Sequence, residues 1–497
     1  MTAAPSPDQT IKRVVVAGGG TAGWIAAAAL AKHLGPLLEI VLVESDEIGT
    51  VGVGEATIPT IRTFHRLLEL DERDFLRATR ATFKLGIAFE NWARDGDRYI
   101  HSFGRVGQSI WMGDFQHMWL RGRAAGIADE LGAYCFELAA AEAGKFATAD
   151  DAKINYAYHF DAGLYARYLR DFSEKRGVTR IEGKIGGVVQ NAESGFIEAL
   201  ELDDGRRIDG DLFVDCSGFR GLLIEQTLNA GYEDWSHWLP TNRALAVQTK
   251  AVAPPRPYTR AIAHEAGWQW QIPLQHRVGN GLVYCSEYLS DDAAREKLLA
   301  QVDGETITEP RTIRYVTGRR KRVWDKNCVA LGLASGFVEP LESTSIHLIM
   351  IGITRLIQSF PFAGIKDSVV RRYNDLAETE LERVRDFIIL HYHLNERREP
   401  FWQRCATMEI PDTLAQRIAL FAESALTPQT ADDLFQADSW LQVMLGQRLE
   451  PGGYHHMGHV LSDAHLARAF ADLKGNIAGA VGRMPTHQAF LDSYCAR

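Results

Sequence analysis

Gly18, Gly20 and Gly23 complete the pattern Gly-x-Gly-x-x-Gly within Gly18-Gly19-Gly20-Thr21-Ala22-Gly23-Trp24, directly after the apolar β-branched run Val14-Val15-Val16. Glycines at this spacing allow a tight turn and a close approach of backbone N–H groups to a pyrophosphate. The helix that follows then turns its positive end toward that phosphate. Glu44 stands 21 residues beyond Gly23, at the end of a second apolar run, Glu39-Ile40-Val41-Leu42-Val43-Glu44. A carboxylate there can accept hydrogen bonds from ribose hydroxyls. The chemistry implied is dinucleotide binding; the plainer alternative is a tight strand–helix turn with no ligand.

Other residues carry chemistry less openly. Glu342 lies in Leu341-Glu342-Ser343-Thr344-Ser345-Ile346, where an acid beside hydroxyl residues at a helix start also reads as simple capping. Lys84 lies in Thr82-Phe83-Lys84-Leu85-Gly86-Ile87. Phe83, Leu85 and Ile87 alternate, so Lys84 points away from them, and taken alone it is a solvated side chain. Trp268 and Trp270 alternate on a strand and so share a face, as a bulky wall or as two core residues. His455, His456 and His459 invite a metal, but no carboxylate–histidine spacing accompanies them, and no metal is expected. The six cysteines, at 135, 216, 285, 328, 405 and 495, include no Cys-x-x-Cys pair. Scattered single cysteines suit a reducing cytoplasm.

The elements that must position these residues begin with strand, glycine turn, helix and strand over residues 12–44, a βαβ unit. Asp203-Asp204-Gly205 predicts a hairpin between 196–201 and 206–214. Strands are expected from about 243 to 290 and at Cys328–Leu333, with helical periodicity dominating from about 355. A chain of 497 residues with 46% hydrophobic and 24% charged residues suits one large composite domain or two to three packed ones. The formal net charge of −10 argues against a nucleic-acid surface. The basic run Arg319-Arg320-Lys321-Arg322 is expected to be a solvated strand end. Residues 1–10 read as a frayed tail rather than a signal peptide. The longest apolar stretch, 346–353, is too short to span a bilayer, so no membrane association is expected.

Asp211-Leu212-Phe213-Val214-Asp215-Cys216-Ser217-Gly218-Phe219-Arg220 resembles the second FAD motif of glutathione-reductase-type flavoproteins, and a third glycine-bearing turn follows at Gly332 and Gly336. Three such elements suit the long FAD molecule better than NAD. Ser335-Gly336-Phe337-Val338-Glu339-Pro340-Leu341-Glu342-Ser343-Thr344-Ser345-Ile346, the first glycine motif, and Gly267-Trp268-Gln269-Trp270-Gln271-Ile272-Pro273 together resemble the flavin-dependent halogenases, the family typified by tryptophan halogenases. The resemblance runs from about residue 11 to 495 and takes in His391-Tyr392-His393 and Pro400-Phe401-Trp402.

The resemblance implies an α/β fold. An FAD-binding, Rossmann-like module of glutathione-reductase type would occupy 11–354, interleaved with a sheet subdomain and followed by a mainly helical region at 355–497. It implies that Gly18, Gly20, Thr21, Ala22, Gly23, Glu44, Ile185, Gly336, Leu341 and Ile346 bind FAD, with residues 51–59 strapped over the flavin. Lys84 and Glu342 would be catalytic, Thr344 and Ser345 would hold halide, and Trp268 and Trp270 would bar substrate from the flavin. His101, Phe103, Tyr454 and His455 would line an arene pocket. FADH2 from a separate flavin reductase, O2 and chloride or bromide would give a flavin hydroperoxide and then hypohalous acid, which Lys84 and Glu342 direct onto an electron-rich arene of indole type. The family's glycine is Ser345 here, and the clamp for a free amino acid is not recognisable, so simple indoles are expected to react at least as well as tryptophan. The resemblance leaves a homodimer open. Two rival readings are an FAD monooxygenase that hydroxylates, and a flavin-binding protein without turnover. The tryptophan wall argues against the first, and the presence of both Lys84 and Glu342 against the second.

Overall fold

A computed structural model describes residues 10–48, 54–110, 113–148, 154–430 and 433–496. The chain divides into two compact units, each assembled from three stretches of sequence. The first comprises residues 1–80, 160–237 and 315–382; the second comprises 81–159, 238–314 and 383–497.

The first unit is built on a six-stranded sheet in the order Trp324–Asp325, Cys328–Ala330, Leu212–Asp215, Arg13–Ala17, Glu39–Glu44, Thr179–Glu182. All its pairings are parallel except the hairpin of the first two strands. Val14, Val15, Val16, Val41, Leu42, Phe213 and Val214 are fully buried, as continuous apolar runs in a sheet covered on both faces should be. The helix Thr21–Leu34 begins inside the glycine motif, ahead of its alanine run at 26–29. It packs against Ala162–Glu174 and Ser345–Gln358. The predicted hairpin forms between Ile197–Leu202 and Arg207–Asp209. The chain after Asp209 leaves it, because Leu212–Asp215 is drawn into the central parallel sheet. A third sheet joins Tyr232–Asp234, Gly318–Arg320 and Gly336–Phe337.

That third sheet corrects the reading of 319–322 as a solvated run. Arg319 and Arg320 are buried, at 6% and 7% exposure; Arg319 pairs with Glu233 and Glu378, and Arg320 with Glu225. Only Lys321 and Arg322 reach solvent. The acidic partners come from other elements, which a local charge count cannot reveal.

The second unit holds a seven-stranded sheet in the order Arg311–Arg314, Arg243–Lys250, Arg277–Tyr284, Gly267–Pro273, Thr259–His264, Gly86–Glu90, Arg98–Ser102. The short strand Thr82–Lys84 lies outside it and pairs antiparallel with Ala157–Phe160. From Ser345 onward every regular element among the described residues is helical. No described helix is long and apolar enough to cross a membrane.

Candidate active site

The first unit gathers the three glycine-bearing turns at the carboxyl ends of adjacent strands, where ligands bind in open α/β sheets. Gly18 N–H donates to the Val43 carbonyl, Cys216 N–H to that of Ala17, and Leu331 N–H to that of Asp215. Successive strand ends are thus tied together. The glycines are needed for packing. Gly18 has φ +112°, and a Cβ there would lie 2.4 Å from the Cys216 carbonyl oxygen. A Cβ on Gly23 would lie 1.8 Å from the Gly18 oxygen, whereas one on Gly20 would meet nothing within 4 Å. The helix beginning at Thr21 and Ala22 has no side-chain cap and no acid in its first turn. Its leading N–H groups are therefore suited to an anion. Buried Asp215 braces the second motif by accepting from the backbone of Ser217, Leu223 and Ile224.

Glu44 is more engaged than a bare ribose acceptor. One oxygen accepts from Trp24 Nε1, and the other is paired with Arg180. Gly183 N–H donates to the Glu44 carbonyl, so the chain crosses that strand end just before Ile185 opens the strand Ile185–Gln190. Ile185 itself is half-buried against the core of the sheet. Of the segment 51–59, Val51, Gly52 and Val53 lie outside the described residues. Glu55 follows them, and burial pushes its carboxyl up to about 7.

Gly336 pairs in the small sheet, and Gly332, at φ +63°, would bring a Cβ within 2.9 Å of Ala22 and 3.5 Å of Ile349. The first turn of one helix and the second turn of another therefore meet at Gly332. The second of these, Ser345–Gln358, also lacks a side-chain cap and a first-turn acid. Its cap residue Thr344 has no exposed surface, and the Thr344 hydroxyl has no hydrogen-bond partner. Just before it, Ser343 takes a left-handed conformation at φ +59°. Leu341, Glu342 and Ile346 are buried, as is Glu339. Burying a carboxylate is costly unless it is paired or hydrogen-bonded. In the first turn of that helix, His347 bonds Thr60 and Glu380.

The second unit decides the status of Lys84. It is fully buried, and its Nζ lies 5.2 Å from the centroid of the Phe103 ring. Strand pattern alone would leave Lys84 solvated, whereas the catalytic role implied by the resemblance requires burial; it is buried because both faces of this strand are covered, with Thr82 and Lys84 as buried as Phe83. Phe103 is held by its N–H donating to the Leu85 carbonyl. Three neighbours went unrecognised in the sequence. His159 bonds Thr82 and Thr259, and His487 accepts from the Phe83 N–H. A period of two could have placed Thr82 on the face of Lys84. Nothing local announces His159 or His487.

His101 is buried on Arg98–Ser102, edge-on to Phe387 at 5.5 Å. Tyr454 stacks on His459, and exposed His455 donates its backbone N–H to His117 Nδ1. No cluster of metal-ligating side chains occurs among the described residues. Trp268 and Trp270 are buried with ring centroids 6.1 Å apart, and Trp92 lies 6.2 Å from Trp268. Trp270 sits over Gly281, where a Cβ would fall 2.0 Å from its ring; its indole N–H has no hydrogen-bond partner.

The profile of the tryptophan halogenase family matches residues 13–463. A flavin-dependent halogenase from Xanthomonas campestris is 55% identical and superposes with a TM-score of 0.96 over 98% of this chain and 99% of its own. A second, from a Brevundimonas species, is 46% identical with a TM-score of 0.94, over 98% and 99%. A tryptophan 6-halogenase from Streptomyces toxytricini is 37% identical over 438 residues, 82% of this chain and 83% of its own. With three glycine turns converging on one sheet edge, a buried lysine against an aromatic ring, and similarity across nearly the whole chain, the protein belongs to the tryptophan halogenase family and is a flavin-dependent halogenase.

Proposed function

We propose that this enzyme halogenates an electron-rich arene of indole type by electrophilic substitution, with Lys84 delivering the halogen. The carrying observation is the complete burial of Lys84 with its ammonium against the Phe103 ring. An amine removed from water can hydrogen-bond hypohalous acid or take the halogen from it, and it is screened from competing solvent. Reduced FAD, supplied by a separate reductase, provides with O2 the oxidising equivalents that convert halide to hypohalous acid.

The residues fit that cofactor. Gly18, Gly20 and Gly23 with the uncapped start at Thr21 and Ala22 suit its pyrophosphate, Glu44 its ribose, and the backbone near Ile185 its adenine. Gly336, Leu341 and Ile346 are the further proposed contacts. The first-turn N–H groups at Thr344 and Ser345, with the unpartnered Thr344 hydroxyl, suit a halide. Glu342 is the proposed carboxylate that polarises the halogen donor or takes the proton lost as the ring regains aromaticity. Trp268 and Trp270 are the proposed barrier to direct hydroxylation. His101, Phe103, Tyr454 and His455 are the proposed substrate residues. The six cysteines, scattered singly along the chain, suit a reducing cytoplasm.

The test is mass spectrometry of indole and tryptophan in competition, with enzyme, flavin reductase, NADH, O2 and bromide or chloride. The expected product is 3-haloindole, formed at least as fast as halotryptophan, with bromide at least as effective as chloride. A product heavier by one oxygen would favour a hydroxylase. Clean benzo-ring halogenation of tryptophan with indole untouched would reveal an amino-acid clamp.

A further inference from the structure

Lys84 needs more than burial to direct a halogen. Its side chain is long and flexible, and a misplacement of about 1 Å at a reacting centre costs on the order of 100-fold in rate. The hydrogen bonds around its strand have one consistent donor assignment. Thr82 Oγ1 lies 2.7 Å from the Pro273 carbonyl oxygen, which can only accept, so the single hydroxyl proton of Thr82 is committed there. His159 Nδ1, 3.1 Å from Thr82 Oγ1, must then donate to that hydroxyl oxygen. His159 Nε2 lies 2.9 Å from Thr259 Oγ1 and accepts a hydrogen bond from that hydroxyl when the ring is neutral. Burial and the neighbouring Lys84 charge both hold His159 well below the ordinary histidine range, so the neutral Nδ1–H tautomer is the resident form. Thr82 and His159 face each other across the strand pair, two register steps from Lys84 and Ala157.

We infer that Thr82, His159 and Thr259 form a positioning relay for Lys84, pinning the lysine strand to the carbonyl of Pro273 at the end of the tryptophan strand. The relay ties the strand pair of Thr82–Lys84 and Ala157–Phe160 to the strand pair of Thr259–His264 and Gly267–Pro273. Thr82 and Lys84 share a face of their strand, so the anchor lies beside the amine. A second neutral imidazole supports the same strand: His487 Nδ1–H donates to the Pro255 carbonyl at 2.8 Å, and its Nε2 accepts from the Phe83 N–H at 3.1 Å. Both rings are held neutral, so neither adds a positive charge beside Lys84. The relay residues touch neither flavin nor arene in this account; they act through the lysine. The inference rests on the proposed role of Lys84.

The experiment compares Thr82→Val, which keeps the shape and removes the hydroxyl, with Thr82→Ser, which keeps the hydroxyl. Four quantities are read: halogenated indole formed per flavin oxidised, oxidised halide released to a dione trap, kcat and KM for indole, and the melting midpoint. In Thr82→Val, product per flavin should fall about tenfold or more through kcat. KM should stay within about twofold, and trapped oxidant should rise in proportion. Thr82→Ser should recover to within about threefold of wild type. Thr259→Val, which removes only the donor to Nε2, should shift the same partition and decides the matter if Thr82→Val fails to fold. A lower melting midpoint with wild-type partition in the valine variants, or a serine variant as uncoupled as the valine one, would overturn the relay. Lys84→Ala in parallel separates the two ideas: if it still halogenates, the lysine role fails; if it is inactive while Thr82→Val and Thr259→Val direct normally, only the relay fails.

Discussion

A fully buried ammonium is expensive, since the effective penalty of removing an ion from water is several kcal/mol. Lys84 carries that cost in a strand where any apolar residue would pack more easily. Its surroundings suit an amine: an aromatic ring at 5.2 Å on one element and histidines kept neutral on others. Lys84→Ala is accordingly expected to lower halogenation by about 100-fold or more, in the range of a lost acid–base or nucleophilic group. FAD affinity and the rate of flavin oxidation should remain at wild-type values, because the flavin-site turns belong to other segments. Product quantified by chromatography against flavin absorbance checks this, and comparable product from the two proteins would remove Lys84 from the reaction.

At the scale of elements, two glycines act as spacers. Gly23 lets the helix Thr21–Leu34 start against the Gly18 turn, since a Cβ there would sit 1.8 Å from a backbone oxygen that has no flexible end to move. Gly23→Ala should therefore displace the helix start and weaken FAD binding at least tenfold, measured by flavin fluorescence titration; unchanged affinity would detach this turn from the pyrophosphate. Gly281 makes room for Trp270 in the neighbouring strand. Gly281→Ala should overpack that contact at a cost of about 1–3 kcal/mol. It should lower the melting midpoint and alter tryptophan fluorescence. If Trp270 is the barrier, the displaced ring should also admit some hydroxylated indole. An unaltered melting curve and product profile would show that the indole ring yields without consequence.

For the molecule as a whole, buried neutral histidines make stability depend on pH. His65, bonded to Tyr165 and edge-on to Phe75, is lowered by burial from 6.5 to about 3. Between those values the unfolded chain binds the proton and the folded chain does not, so stability rises with pH. The contribution is fully present above pH 6.5 and is lost as pH falls through that window, by about 1.4 kcal/mol per pH unit. His65→Phe keeps a ring on Phe75 and removes the titration. The stability difference between wild type and this variant should therefore shift against wild type as pH is lowered from 7 to 4, by urea unfolding at each pH, with other titrating groups cancelling. A pH-independent difference would mean that folding leaves the proton affinity of His65 unchanged.

The βαβ unit, the glycine turns, the Glu342 segment and the paired tryptophans were legible in the sequence because their signals are local: strand periodicity, glycine spacing and helix starts are set by neighbours within a few residues. So was family membership, carried by three motifs in order. Tertiary structure alone decided the burial of Lys84, which a period-two pattern had assigned to solvent. It decided the ion pairs of Arg319 and Arg320, and the pairing of Thr82 with His159, 77 residues away. The physical reason is common to all three. Whether a polar side chain is solvated, paired or held against a ring depends on what packs over it from distant segments, and the energy of burying charge is settled only when those segments meet.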